Sequence, residues 1–130
     1  INDESRKRYN LINNKDDFHS FLERIYNNEN LNWKKEFLNL GINIGKITEN
    51  FNDNIKHLKQ LTNLNISHTR LNNIIGLTDC INIKIINLWM TIVRDLSSLE
   101  NCIDLQVVKC SRLCNIHILT SKFDKIKIIY

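Results

Sequence analysis

The chain repeats itself, and no other feature limits its fold as much. Leu61, Leu64, Ile66, Thr69 and Leu71 follow the pattern L-x-x-L-x-I-x-x-T-x-L, and the same spacing returns one period later as Ile83, Ile86, Leu88, Thr91 and Val93, each twenty-two positions on. A third copy opens on Leu105, Val108 and Cys110 after the same interval. A looser copy stands upstream at Phe37, Leu40, Ile42, Gly45 and Ile47, twenty-four positions before the Leu61 copy; a last one, Phe123, Ile126 and Ile128, follows after eighteen. Five units thus cover residues 37–130. A period of about 20–50 residues marks stacked supersecondary units, none of which buries its apolar side without a neighbour.

The spacing inside each unit says what the unit is. Leu64 and Ile66, like Ile86 and Leu88, are two apart, so their side chains share one face of a short strand. Leu71, Ile74, Leu77, Cys80 and Ile83 then step by three, as do Val93, Leu96, Leu99, Cys102 and Leu105. A step of three lines side chains up in one row of a 3₁₀ coil, which carries the chain to the next strand. Composition fits this plan. The 21 Ile fill positions that accept any branched aliphatic, and the 21 Asn crowd turns and outward strand positions such as Asn63, Asn65 and Asn87. The chain has no Ala and no Pro, a bias of AT-rich coding that short strands and 3₁₀ coils tolerate. The Asn excess is read the same way, and not as a prion-like tract.

These units resemble the leucine-rich repeat, in the short 22-residue form found in internalins and in the leucine-rich regulatory subunit of protein phosphatase 1. Leu61-Thr62-Asn63-Leu64 carries the resemblance, together with the Asn73-Ile74 and Asp95-Leu96 pairs before the convex turn. Thr69 and Thr91 stand where that family usually has Asn at the bend, and a Thr hydroxyl can supply part of the same backbone bonding. The resemblance implies an α/β solenoid, with short parallel strands on a concave face and 3₁₀ or irregular coils on the convex one. Near the third bend Leu113, Cys114 and Asn115 point to an irregularity of one or two residues.

Residues 1–36 lie outside the repeat. Phe18, Phe21, Leu22, Ile25 and Tyr26 fall at i, i+3, i+4, i+7 and i+8, predicting an amphipathic helix opened by Asn14 or Asp16 and ended by Asn27-Asn28. A second short helix around Leu31 to Leu38 presents Trp33 and Phe37. Solenoid ends need covers, so this segment reads as an α-helical N-terminal cap, with a separate interaction helix as the alternative. The basic cluster Ser5-Arg6-Lys7-Arg8 reads as a solvated tail.

Catalytic chemistry finds little support. Cys80 and Cys102 replace the Leu58 position of successive units and Cys110 replaces a strand Leu, so these thiols are expected to be buried hydrophobes. A Cys80 to Cys102 disulfide is the alternative, since stacked units bring such positions close. Only Cys110-x-x-x-Cys114 approaches metal-ligand spacing, and no metal or cofactor is expected. Gly41-Ile42-Asn43-Ile44-Gly45-Lys46-Ile47 lacks one residue between its glycines, and the hydroxyl after the Lys, that a phosphate loop requires. His19, His57, His68 and His117 form no H-E-x-x-H, and no nucleophile elbow occurs, so no enzyme is expected. Unpaired thiols suit an intracellular setting, cytoplasmic or nuclear; the sequon Asn65-Ile66-Ser67 is the sign of a secreted or surface protein. No run is long and apolar enough to cross a membrane, so no membrane insertion is expected.

What remains is binding. If the family geometry holds, alternate side chains line the concave sheet in rows: Asn65, Asn87, Lys109 and Lys127; then Ser67, Trp89, Ser111 and Ile129; then His68, Met90, Arg112 and Tyr130. An outward Trp gains little for the fold, yet Trp and Arg dominate binding hot spots. The candidate site is therefore His68, Asn87, Trp89, Met90, Lys109, Arg112 and Lys127, an aromatic centre with a basic flank. The alternative is that Trp89 packs on Ile85 and Val107 as cross-strand filler, or is covered by an N- or C-terminal segment. The basic flank favours another protein with an acidic face. RNA is the second candidate partner, within a large assembly, although a net charge of +4 is mild for a dedicated nucleic-acid binder. Phe123 to Tyr130 form an apolar end without a polar cap, an end expected to meet further repeats or another chain.

Overall fold

The computed structural model describes residues 18–42, 57–69 and 71–130. Ser5, Arg6, Lys7, Arg8, the helix openers Asn14 and Asp16, and the Asn43 to Ile47 part of the upstream unit lie outside those residues.

Helix α1, Phe18–Asn27, buries Phe18, Phe21, Leu22 and Ile25, the face its spacing predicts. Such side chains each contribute about 1.5–3 kcal/mol when fully withdrawn from water, which offsets the marginal stability of so short a helix. Helix α2, Trp33–Asn39, starts two residues later than its sequence span because Asn32 caps it, accepting from Lys35 N at 3.3 Å. Trp33 joins the two helices, edge-on to Tyr26 at 5.1 Å and to Phe37 at 5.3 Å. α1 also packs on the 3₁₀ turn Ile75–Leu77. Beyond α2 the chain runs beside the first strand, with Leu40 O accepting from Asn65 N at 2.8 Å. Gly41 makes that approach at φ +86, where an added Cβ would stand 2.6 Å from Asn63 O.

The rest of the described chain is built on a parallel sheet in sequential order, β1 Asn63–Asn65, β2 Ile85–Asn87, β3 Val107–Lys109 and β4 Lys127–Ile129. The protein is therefore of the α/β class. Asn63 pairs with Ile85 and Ile85 with Val107, each one sequence period on. Leu64, Ile86 and Val108 point into one core, joined by every member of the two rows of step three, from Leu71 to Ile83 and from Val93 to Leu105. 3₁₀ turns at Ile75–Leu77 and Ser97–Leu99 sit between strands, and Asn73 and Asp95 accept from Ile75 N and Ser97 N at their starts. These short side-chain turns supply acceptors where too few residues exist for a helical ladder. No helix among the described residues is long and apolar enough to cross a membrane.

Thr69 and Thr91 are buried at the bends after β1 and β2. Each hydroxyl donates to the carbonyl three residues back (Ile66 at 2.9 Å, Leu88 at 2.8 Å) and accepts from the N–H two residues on (Leu71, Val93). The hydroxyl thus closes its own bend. The third bend differs. Cys114 turns inward there, its thiol on Val93 O at 3.3 Å, while Asn115 accepts from Leu96 N at 2.8 Å.

That change shifts everything after it. The path from the start of β1 to the turn at Ile75 equals that from the start of β2 to the turn at Ser97, whereas the path from β3 to α3, His117–Thr120, is two positions shorter. The last strand consequently begins twenty positions after β3, where the sequence reading expected eighteen. Lys127 pairs with Val107 and Ile129 with Lys109. Lys127 therefore leaves the row of Asn87 and Lys109, and Ile129 takes its place. Tyr130 follows it, level with Cys110 and not with Arg112.

Cys80, Cys102, Cys110 and Cys114 are buried free thiols, without the alternative disulfide. Cys102 Sγ lies on Cys80 O at 3.3 Å. Burial pushes Cys80 and Cys102 up to about 11 and Cys110 up to about 12.

Candidate binding cleft

Where β2 ends, the chain must turn sharply within three residues. Asn87 makes this local: its side-chain oxygen accepts from Trp89 N at 3.0 Å, as Asn65 accepts from Ser67 N at 3.1 Å and from the Ser67 hydroxyl at 2.6 Å. Asn87 thus carries a turn-forming bond, and Ser67 is buried, not turned outward. The turn takes Met90 to φ 58 and, in the preceding unit, His68 to φ 59. A left-handed backbone is uncommon for a non-glycine residue, costing about 1–2 kcal/mol. Met90 is also 66 % exposed, so its side chain recovers little of that cost by burial.

Trp89 does more for the fold than an outward position suggests. Its indole N–H donates to Ile129 O at 3.1 Å, an oxygen that also accepts from Cys110 N at 3.0 Å. The half-buried ring therefore links the end of β2 to β4, the edge strand. Lys109 Nζ stands 5.0 Å above the ring centre, within cation–π range. A second such pair follows, with the Arg112 guanidinium 4.4 Å over the Tyr130 ring.

Between these two pairs lies a cleft of about 750 Å³. His68, Trp89, Met90 and Arg112 line it, so four of the seven residues proposed from sequence meet at one place. Lys109 reaches it through the indole, Asn87 supports the turn below, and Lys127 belongs to another row. The sequence reading missed Ile92 and Arg94, and it left Cys110 as core and Tyr130 outside the site; all four line the cleft. Arg94 follows Val93, the last position of its unit's pattern, so periodicity assigns it no role. In the structure its Nη1 donates to Thr91 O at 3.3 Å and Val93 O at 2.9 Å, which bends it back over the turn.

The charges here have one sign. Arg94 and Arg112 line the cleft, and among the described residues no Asp or Glu does. Arg112 and Lys109 make no ion pair with a described residue. Among the described residues no group of three or more His, Cys, Asp or Glu side chains is placed to hold a metal ion. Comparison with protein-family models, curated proteins and solved structures returns no match to the chain.

Proposed function

We propose that the protein is a leucine-rich repeat module, with α1 and α2 as its N-terminal cap, that binds another protein without doing chemistry on it. The parallel pairing of strands one period apart, the threonine-closed bends and the capped 3₁₀ turns support the repeat reading. Four unpaired thiols suit a reducing compartment, cytoplasm or nucleus. One observation carries the binding reading: a cleft lined by an exposed Met90, by Trp89, and by cations with no acidic partner among the described residues. Exposed apolar groups beside unpaired cations do little for a fold and are what a partner's apolar and acidic side chains would cover.

The test compares the chain with its Met90→Asp and Lys109→Glu variants as immobilised bait in extract of its own cells. A set of bound proteins lost in both variants is the expected result. A set kept by both would refute this face as the binding site.

A further inference from the structure

We infer that the cleft takes a short acidic peptide segment in which a carboxylate side chain neighbours a bulky apolar one. This rests on the protein-binding reading and names the chemistry of its partner.

Two kinds of group line the cleft. One is Arg112, whose guanidinium stands 4.4 Å over the Tyr130 ring. The N–H fork of this guanidinium makes no hydrogen bond to a described residue. That fork fits the two oxygens of a carboxylate. The contact with the ring also restrains the long side chain in advance, so less freedom is lost when the anion arrives. The other is apolar: Met90 and Ile92 are exposed and line the cleft with Trp89. Met90 is the more exposed of the two, at 66 % against 41 % for Ile92, on the left-handed turn backbone it shares with His68. Its flexible thioether suits an apolar side chain of variable shape.

The volume, about 750 Å³, falls within the range of roughly 300–1,000 Å³ typical of small-molecule sites, room for a few residues of peptide. Charge then selects the peptide: among the described residues the lining holds two Arg and no Asp or Glu, and Lys109 stands over the Trp89 ring. Nucleic acid fits less well. Base recognition by stacking needs open ring faces, and Lys109 covers a face of Trp89 as Arg112 covers one of Tyr130.

Trp89 provides the readout. The chain has two Trp, and Trp33 packs between Tyr26 and Phe37, away from the cleft lining. In a Trp33→Phe background, Trp89 emission is followed while two decapeptide libraries are added. One has a central Leu-Glu or Phe-Glu pair, the other Leu-Gln or Phe-Gln, and both have degenerate neutral flanks free of Trp and Tyr. The Glu library is expected to bind at least about tenfold more tightly, an advantage that declines with salt. Arg112→Gln should abolish the difference and leave the residual binding, and Arg112→Lys should restore only part of it. Circular dichroism checks that each variant is folded.

Equal binding of both libraries, or equal weakening of both by Arg112→Gln, overturns the carboxylate assignment while the protein-binding reading stands. Salt-sensitive binding of a uridine decanucleotide without binding of either peptide library overturns it in favour of RNA. If neither library moves Trp89 and Met90→Asp keeps the proteins bound by the wild-type bait, both readings fall.

Discussion

Trp89→Phe isolates what the indole N–H does for the sheet. The substitution keeps an aromatic ring over β3 and removes a donor placed 3.1 Å from Ile129 O. That oxygen retains the Cys110 N–H at 3.0 Å, so no acceptor is orphaned. The loss is then the net value of one hydrogen bond, about 1 kcal/mol, and not the larger penalty of an unsatisfied group. A phenyl ring also holds the Lys109 ammonium less well, adding up to about 0.5 kcal/mol at a half-exposed site. A total of about 1–1.5 kcal/mol corresponds to about 4 °C in melting temperature for a domain of this size.

Urea unfolding followed by circular dichroism should show a lower midpoint at unchanged slope. Hydrogen exchange should localise the effect. β4 has no strand beyond it among the described residues and its central Ile128 is only half-buried, so the Lys127 to Ile129 amides should exchange faster while those of β1 stay as they were. An unchanged midpoint with unchanged exchange in β4 would refute the argument, because water would then satisfy the indole N–H as well as Ile129 does.

Thr91→Val keeps the shape but leaves the buried Val93 N–H without its acceptor, and should cost about 1–3 kcal/mol in urea unfolding. Gly41→Ala places a Cβ against the Asn63 carbonyl at φ +86 and should cost about 2 kcal/mol or more; Gly76→Ala meets only the movable His19 ring and should cost less than about 1 kcal/mol, both read by thermal melting. The buried thiols keep their protons in the folded state where the unfolded chain loses them. Stability from Cys80, Cys102 and Cys110 is thus complete below pH 9 and falls as pH rises through about 11 and 12. Cys80→Val with Cys102→Val should flatten that decline, and the native chain at pH 8 should resist thiol alkylation until urea is added.

How much of this was legible in the residues differs by element. α1 was readable because its apolar positions carry the helical period, and burial there needs only one face. β1 to β3 were readable because two periods alternate in the same unit, two for the strand and three for the coil. The candidate cleft was half legible. His68, Trp89, Met90 and Arg112 follow from counting one repeat at a time, whereas Arg94 enters only by folding back onto the Thr91 and Val93 carbonyls. Lys127 was misplaced for a related reason. An apolar run such as Ile126, Ile128 and Ile129 fits a strand in either of two registers, and a slip of two residues keeps the same side chains facing inward.

Local chemistry is thus what the sequence alone determined: the first two helices, the strands β1 to β3 with the 3₁₀ coils between them, which thiols are core, and where the first two bends fall. Those properties depend on residues within a few positions of one another. The tertiary structure decided what depends on neighbours distant along the chain: the register of β4, the reach of Trp89 to Ile129, and the meeting of Arg112 with Tyr130. Each of these follows from a two-residue shortening between β3 and α3, whose consequence appears only when the strands are set side by side.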